Sequence, residues 1–377
     1  MRLFITKTMN TLFTLAVALI TLMGISPQEN LPSDADLQTH RQTVLELANR
    51  VGETSLKQYH DKAWGEVPFT DWRSGVLMKG LYLWAQQTAN VQLQENLLSI
   101  AAANHYRLDH RLYHADDLCI TQSYLLLNSL SPSAAKIEPT MLRIDSLLTH
   151  PYKPKNKEIQ FGLWWWSDAL FMAPPVFAQL YELTANETYL DFCYQEFRSC
   201  YEHLYNKSYG FFYRDKRFIP KSGTKPVFWS RGNGWVVGGL VSLLQYIPKE
   251  HSSYPFYQSL FVDMCQSIRE LQHHTGFWPS DLLDESEDLY PESSGTGLFV
   301  YALSYGVNQG YLDKNTYLAS IQKGWQALSQ TIQTSGEVGW VQQVAHAPGQ
   351  TKATDTELYG AGIFLLAASE YIQLMNH

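Results

Sequence analysis

Apolar residues recur at three- and four-residue spacing through most of the chain, the interval that puts side chains on one face of a helix. Stretches of helical length with this spacing fall near 35–52, 71–89, 92–106, 116–129, 134–148, 167–184, 187–204, 232–246, 254–271, 295–309, 314–332 and 355–373, which predicts twelve helices. In LYELTANETYLDFCYQEF, Asn186 marks a turn between two of them. Several alternate helices are richer in Gly, Ala and large apolar residues: GNGWVVGGLVSLL, SGTGLFVYALSYG and LYGAGIFLLAASE. Partners such as YPFYQSLFVDMCQSIREL carry more charge and read as amphipathic. An apolar set wrapped by an amphipathic set makes two concentric layers. The predicted fold class is therefore all-α, an (α/α)6 barrel of six inner and six outer helices. A superhelical repeat array would require a fixed-period motif, and the sequence has none.

The first residues carry a different pattern. Arg2 and Lys7 precede the apolar run LFTLAVALITLM at 12–23, and polar sequence follows from Ser26. A basic flank and a short apolar run read as a secretory signal over about residues 1–25. The run is shorter than the roughly 20 residues a membrane span needs, and no Cys follows it to take a lipid. Residues 26–377, with no low-complexity linker, are expected to form one exported catalytic domain without stable membrane anchoring. In a double-membraned bacterium the location would be periplasmic.

Composition adds a core and a surface preference. Of 377 residues, 45% are hydrophobic and 17% charged, so a sizeable core is available and global disorder is excluded. Aromatic residues make up 14%, with 11 Trp, 23 Tyr and 17 Phe, an excess that fills a core or lines clefts that grip sugars or other flat ligands. The net charge of -8 argues against a nucleic-acid binder, although a local Arg cluster can still receive a small acidic ligand. Cys119, Cys193, Cys200 and Cys265 have neither zinc-site nor disulfide-scaffold spacing and read as buried thiols. The oligomeric state is open.

No nucleotide-binding glycine loop, HExxH or nucleophile elbow is present, and no histidine has metal-ligand spacing, so neither cofactor nor metal is expected. The informative residues stand at the starts of the proposed inner helices: Asp71-Trp72-Arg73, Asp116-Asp117, Ser167-Asp168, Trp229 to Trp235, Glu292-Ser293-Ser294 and Asp355-Thr356. Asp71 and Asp355 are equally well explained as helix caps. Asp116 and Asp117 are adjacent, so one can cap while the other faces a cavity, and their proximity raises a pKa. Asp168 follows Trp164-Trp165-Trp166 and precedes an aliphatic run, a setting that desolvates a carboxyl group and suits a proton donor. A position at a helix start opposes that effect. Arg231, between Trp229 and Trp235, is suited to a forked pair with a substrate carboxylate. Tyr213 and Arg214 offer further contacts, with Asp215 or Asp191 as a duller partner for Arg214. His274, Trp278 and Trp340 are most simply packing.

Taken in order, HADDLCITQSYL at 114–125, WWWSDALFMAPP at 164–175, FWSRGNGW at 228–235, PESSGTGLFVYAL at 291–303, VGWVQQV at 338–344 and TDTELYGAG at 354–362 give the chain a family likeness. It resembles the unsaturated rhamnogalacturonyl hydrolases of glycoside hydrolase family 105, and more distantly the unsaturated glucuronyl hydrolases of family 88. The resemblance implies an (α/α)6 barrel that acts, without metal, on 4,5-unsaturated uronic acids at the non-reducing ends of acidic oligosaccharides. It implies protonation at C4 of the enol ether and addition of water at C5. It assigns the general acid/base to Asp168, the second carboxylate to Asp117, and substrate contact to Trp229, Arg231 and Trp235; Asp116, Trp166, Tyr213 and Arg214 are expected to bind substrate beside them. Arg214 departs from the His common at that position, which puts the sugar preference, galacturonyl or glucuronyl, in question. An inverting glycosidase with Asp117 and Asp168 roughly 6.5–9.5 Å apart, a lyase and a non-catalytic glycan binder are the rivals.

Overall fold

A computed structural model describes residues 34–61 and 67–375. Two compact units divide the chain, residues 1–42 and 43–377. Of the first, the described part is the beginning of helix α1 (Asp34–His60), and the signal-like stretch lies outside the described residues. Everything that follows concerns the second unit.

After α1 come α2 (Trp72–Gln87), α3 (Val91–Ala103), α4 (Asp116–Leu130), α5 (Ala134–Thr149), α6 (Ala169–Met172), α7 (Pro174–Thr184) and α8 (Glu187–Leu204). A short hairpin, β1 (Tyr205–Asn206) and β2 (Phe211–Phe212), leads to α9 (Ser230–Tyr246), α10 (Tyr254–Glu270), α11 (Ser293–Asn308), α12 (Lys314–Ser329) and α13 (Leu358–Tyr371). Each of the twelve expected helices is found. Boundaries differ in places: the first helix runs on to His60, α3 stops at Ala103, α12 stops at Ser329, the last starts at Leu358, and the sixth is broken at Ala173. The break has a local cause, because Pro174 and Pro175 have no N–H to give to the preceding turn.

The ring is closed by packing of α2 on α4, α4 on α6 and α7, these on α9, α9 on α11, α11 on α13 and α13 on α2. The remaining helices pack outside, α3 on α2, α5 on α4, α8 on α7, α10 on α9 and α12 on α11. The layers differ as their sequences demand. All of α13, Leu358 to Tyr371, is buried, and so is α9 from Ser230 to Leu244. In the outer α8 only Tyr189, Leu190, Cys193, Phe197, Cys200 and Leu204 are buried, a three- and four-residue rhythm. Residues Leu358–Met375 are long and apolar enough to cross a membrane by composition, yet 89% of that window is buried in the barrel. Small residues set the closest approach: a Cβ on Gly80 would lie 2.3 Å from the Gly362 carbonyl oxygen, and one on Gly362 would lie 2.4 Å from that of Val76.

The starts of the inner helices gather at one end of the ring. Asp71 caps α2 by accepting from the Arg73 N–H at 2.9 Å and also pairs with the Arg73 side chain. Glu292 caps α11, accepting from the N–H groups of Ser294 and Gly295 at 2.9 and 2.6 Å. Asp355 does not cap α13; it accepts from the Lys352 N–H at 2.9 Å. Trp278 is fully buried and donates to the Ile268 carbonyl, which makes it packing.

Candidate active site

Asp168 immediately precedes α6 in helical backbone geometry, but its side chain makes no cap hydrogen bond. The N–H groups of that turn are already taken by backbone carbonyls, Ala169 by Trp166, Leu170 by Ser167 and Phe171 by Asp168 itself. The carboxyl group is left facing a cavity of about 140 Å3. The β1–β2 hairpin brings a guanidinium to it: the Ser167 N–H donates to the Arg214 carbonyl at 2.8 Å, and Arg214 Nε donates to Asp168 Oδ2 at 3.1 Å. Arg214 is held from behind by Asp215, through Nη1 to Oδ2 at 2.7 Å. Asp215 is fully buried and also accepts from Arg217 Nε and Nη2 at 2.9 and 2.8 Å. Asp168 is 8% exposed. Burial pushes its pKa above the usual carboxyl range, while Arg214 and then Arg231 pull it part of the way back.

Asp116, Trp166, Asp168, Arg214, Trp229, Arg231 and Trp235 line this one cavity, together with Trp72, Met172, Val344 and Ala345. Tyr213 does not: its ring stacks on Phe228 at 4.9 Å and its hydroxyl accepts from Asn206 Nδ2 at 2.8 Å. Asp117 does not either, which corrects its expected place beside the ring hydroxyls. It is 1% exposed, and both oxygens are occupied by Arg111, through the backbone N–H at 2.8 Å, Nε at 2.9 Å and Nη2. The neighbouring Asp116 supplies the second carboxyl group. Its pKa is pushed up to about 7, first by burial and then by the negative charge of Asp168. Its Oδ2 lies 3.5 Å from His114 Nδ1, whose own pKa is lowered to about 4 by burial and then by Arg111. That imidazole is neutral at pH 7.

Arg231 is not free to swing. Its Nη1 donates to the Gln342 carbonyl at 2.5 Å and the Tyr359 hydroxyl at 2.9 Å, and its Nη2 to the Gln343 carbonyl at 3.1 Å. Its guanidinium carbon stands 4.5 Å from the Trp229 ring centre and 5.1 Å from that of Tyr359. Gln342 also accepts from Trp229 Nε1 at 2.8 Å, so one glutamine fixes two cavity walls. Trp72 meets Trp235 edge-on at 6.0 Å and Tyr359 at 4.9 Å, completing an aromatic wall. Reasoning from sequence did not nominate Arg111 or Gln342, nor the wall residues Met172, Val344 and Ala345. Gln342 to Val344 lie in the VGWVQQV motif, but nothing in that motif signals which side chain turns inward.

Paired carboxyl groups, two guanidinium groups and a rim of indoles, set at the helix-start end of an (α/α)6 barrel, define a carbohydrate-processing enzyme. The comparisons are specific: the profile of Glycosyl Hydrolase Family 88 matches residues 47–375, and the chain belongs to that family. This is the more distant of the two families the motifs resemble. An unsaturated 3S-rhamnoglycuronyl hydrolase from Formosa agariphila is 37% identical over 320 residues, 81% of this chain and 85% of that protein. One of the same name from an Alteromonas species is 31% identical, covering 95% of this chain and 96% of its own length. A solved structure described as a polysaccharide lyase is 26% identical with a TM-score of 0.79, covering 89% of this chain and 98% of that one.

Proposed function

We infer that the enzyme releases a 4,5-unsaturated uronic acid from the non-reducing end of lyase-generated oligosaccharides. One observation carries the reading in this chain: a buried carboxyl group, Asp168, faces an indole-walled cavity that also holds a second carboxyl group and two arginines. The reaction needs a positioned acid at C4, stabilisation of positive charge developing at C5, and a water activated for attack there. In this reading Asp168 gives its proton to C4 and regains one from the water that adds at C5. Asp116, rather than Asp117, is the carboxyl group that stabilises the developing charge. The hemiketal formed at C5 then opens and expels the remaining sugar. Arg231 and Arg214 face the uronate carboxylate, and Trp72, Trp166, Trp229 and Trp235 stack or wall the rings. The names of the two curated relatives support rhamnose as the sugar released.

A lyase reading is favoured only by the description of one structural neighbour. The two directions have opposite optical signs. The purified protein should consume the ultraviolet absorbance of an unsaturated uronyl-rhamnose disaccharide, leave saturated glycosides intact, and lose this activity as Asp168→Asn. A rise of absorbance on intact polymer would establish the lyase instead. Cleavage of a saturated control with flat absorbance would establish a conventional glycosidase. Export is inferred from Arg2, Lys7 and the apolar run at 12–23, and fractionation of the native host for the processed protein tests it.

A further inference from the structure

Charge counting in the cavity leads to a property of the binding step itself. Two guanidinium groups, Arg214 and Arg231, and two carboxyl groups, Asp116 and Asp168, line the same cavity of about 140 Å3. Asp215 sits behind Arg214 and is already matched by Arg217. The empty cavity is therefore near neutrality when both carboxyl groups are ionised. A uronate brings one further negative charge into a space walled by indoles, where an unbalanced charge is costly.

The contacts show where the balance gives way. Arg214 meets Asp168 through a single bond of 3.1 Å, longer than a typical charge-assisted pair, while its bond to Asp215 is 2.7 Å. Its anchor is behind it, and its hold on Asp168 is the weaker of the two. Side chains of Arg214 and Asp168 are 18% and 12% exposed, so a ligand in the cavity reaches both. Arg231 already satisfies two carbonyls and a hydroxyl. Asp116, in the same cavity with its pKa pushed up to about 7, is the rival acceptor of a proton, and the Asp168 variant tells the two apart; the other titratable groups near Asp168 offer no equivalent adjustment. His114, ahead of α4, is neutral, and the Cys200 thiol on α8 is held well above its usual range by burial. Glu357, before α13, lies outside the cavity lining and interacts with Arg73 and Arg231.

We propose that binding of the anionic sugar is coupled to uptake of one proton: the substrate carboxylate takes over Arg214, and Asp168, released from its ion pair, is protonated from solvent. In the free enzyme the Arg214 pair favours the ionised acid, and the arriving substrate favours the protonated form that the reaction needs. The proton ledger closes over a turnover. Solvent supplies one proton to Asp168 on binding, Asp168 passes it to C4, the water adding at C5 returns one to Asp168, and release of the anionic product sends it back to solvent. This deepens the uronyl-hydrolase reading and rests on it for the use made of the proton.

Calorimetry in buffers of differing ionisation enthalpy tests the coupling, with methyl β-D-glucuronide as an uncleaved anionic probe and methyl β-D-glucoside as its neutral counterpart. Above about pH 7, where Asp116 is ionised in the free enzyme, glucuronide binding should take up close to one proton and glucoside binding none, with glucuronide affinity falling ~10-fold per pH unit. Arg214→Gln removes the ion pair that favours ionised Asp168, and should bind the glucuronide at least ~10-fold more weakly and with reduced uptake. Asp168→Asn, checked for native circular dichroism, should bind it without uptake. The proposal is overturned by zero uptake in the wild type, by uptake that survives Asp168→Asn, or by no preference for glucuronide over glucoside. Turnover of the unsaturated disaccharide separates the two ideas. Turnover without uptake sinks the coupling alone, and uptake without turnover sinks the hydrolase reading.

Discussion

Arg111 holds Asp117 by three of its nitrogen atoms, and in doing so leaves Asp116, one residue earlier, as the carboxyl group in the cavity. The pair ties the loop ahead of α4 to the helix start. Its carboxylate is 1% exposed and its guanidinium 43%, so the loss on breaking it is partly recovered by hydration of Arg111.

The two neighbouring aspartates should therefore fail in different ways. Asp117→Asn is expected to lower stability by about 1–3 kcal/mol, with activity lost mainly as the α4 start loosens. Asp116→Asn should not lower the melting temperature and should reduce kcat at least ~10-fold. Thermal unfolding beside turnover of the unsaturated disaccharide checks both. The reverse pattern would return the catalytic role to Asp117.

Asp168→Asn removes the proton donor while preserving shape. The expected loss is on the order of 10²–10⁴ in kcat, with a melting temperature close to wild type. Since the carboxylate's only side-chain ion pair among the described residues is the 3.1 Å contact with Arg214, a large fall in stability would point to a structural role instead.

The alkaline limb of the pH profile belongs to the carboxyl pair. Asp116 titrates near 7 in the folded protein against 3.8 for an ordinary Asp, so the folded state binds its proton more tightly. A raised carboxyl pKa contributes stability that is complete below the unfolded value and is lost as pH rises through about 7. Asp116→Asn should then be more stable than wild type at about pH 8, with the advantage gone by about pH 4. In the wild type, kcat/KM should fall above about 7 as the pair loses its last proton, and Asp116→Asn should displace that limb. Urea unfolding and a pH–rate series measure the two effects.

Lys79 lies in the barrel interior, 4% exposed, with Nζ bonded to Gln122 Oε1 and Ser242 Oγ at 2.7 Å each and set 4.8 Å from the Phe171 ring centre. Burial lowers its pKa from 10.5 to about 8, so between these values the unfolded chain binds the proton that the folded protein has released. Stability should rise across that window, by on the order of 3 kcal/mol for this group. Lys79→Met should flatten the rise, read from urea midpoints at successive pH values. An unchanged slope would mean the amine stays charged when buried. Gln122 Nε2 also donates to the Phe171 and Met172 carbonyls beside the helix break, so the same variant should weaken the support of the Asp168 turn.

Gly362→Ala forces a methyl group against the Val76 carbonyl where only 2.4 Å is available. Separation of α13 from α2 should cost on the order of 1–3 kcal/mol. It should also raise KM, because Trp72 at the start of α2 packs against Tyr359 of α13 in the cavity wall. A melting temperature equal to wild type would show that the two helices have slack at this crossing.

Much of this architecture is written in local pattern. Outer helices such as α8 alternate buried and wet positions, inner ones such as α13 are apolar on every side, and that contrast alone orders the two layers. The residue types of the site were legible for the same reason: acid, arginine and indole cluster in short motifs at helix starts. The helix break after Met172 was visible as two prolines, yet the setting of Asp168 ahead of it was not. A spacing argument reads 167–184 as one helix and does not show that backbone carbonyls take the first N–H groups of α6, leaving the Asp168 side chain without a capping bond.

What the sequence determined by itself, then, is which segments are helical, which of them are buried, and which short motifs hold the chemistry, since each follows from residues within a few positions of one another. Only tertiary structure decided which carboxyl group faces the cavity. Successive residues on a helix point about 100° apart, so Asp116 and Asp117 cannot both face inward, and the choice between them is made by Arg111. Arg231 is likewise committed by the carbonyl of Gln342, more than a hundred residues further on, and Arg214 reaches Asp168 because a hairpin lays its carbonyl against the Ser167 N–H. Such contacts join positions distant in the chain, and no local period encodes them.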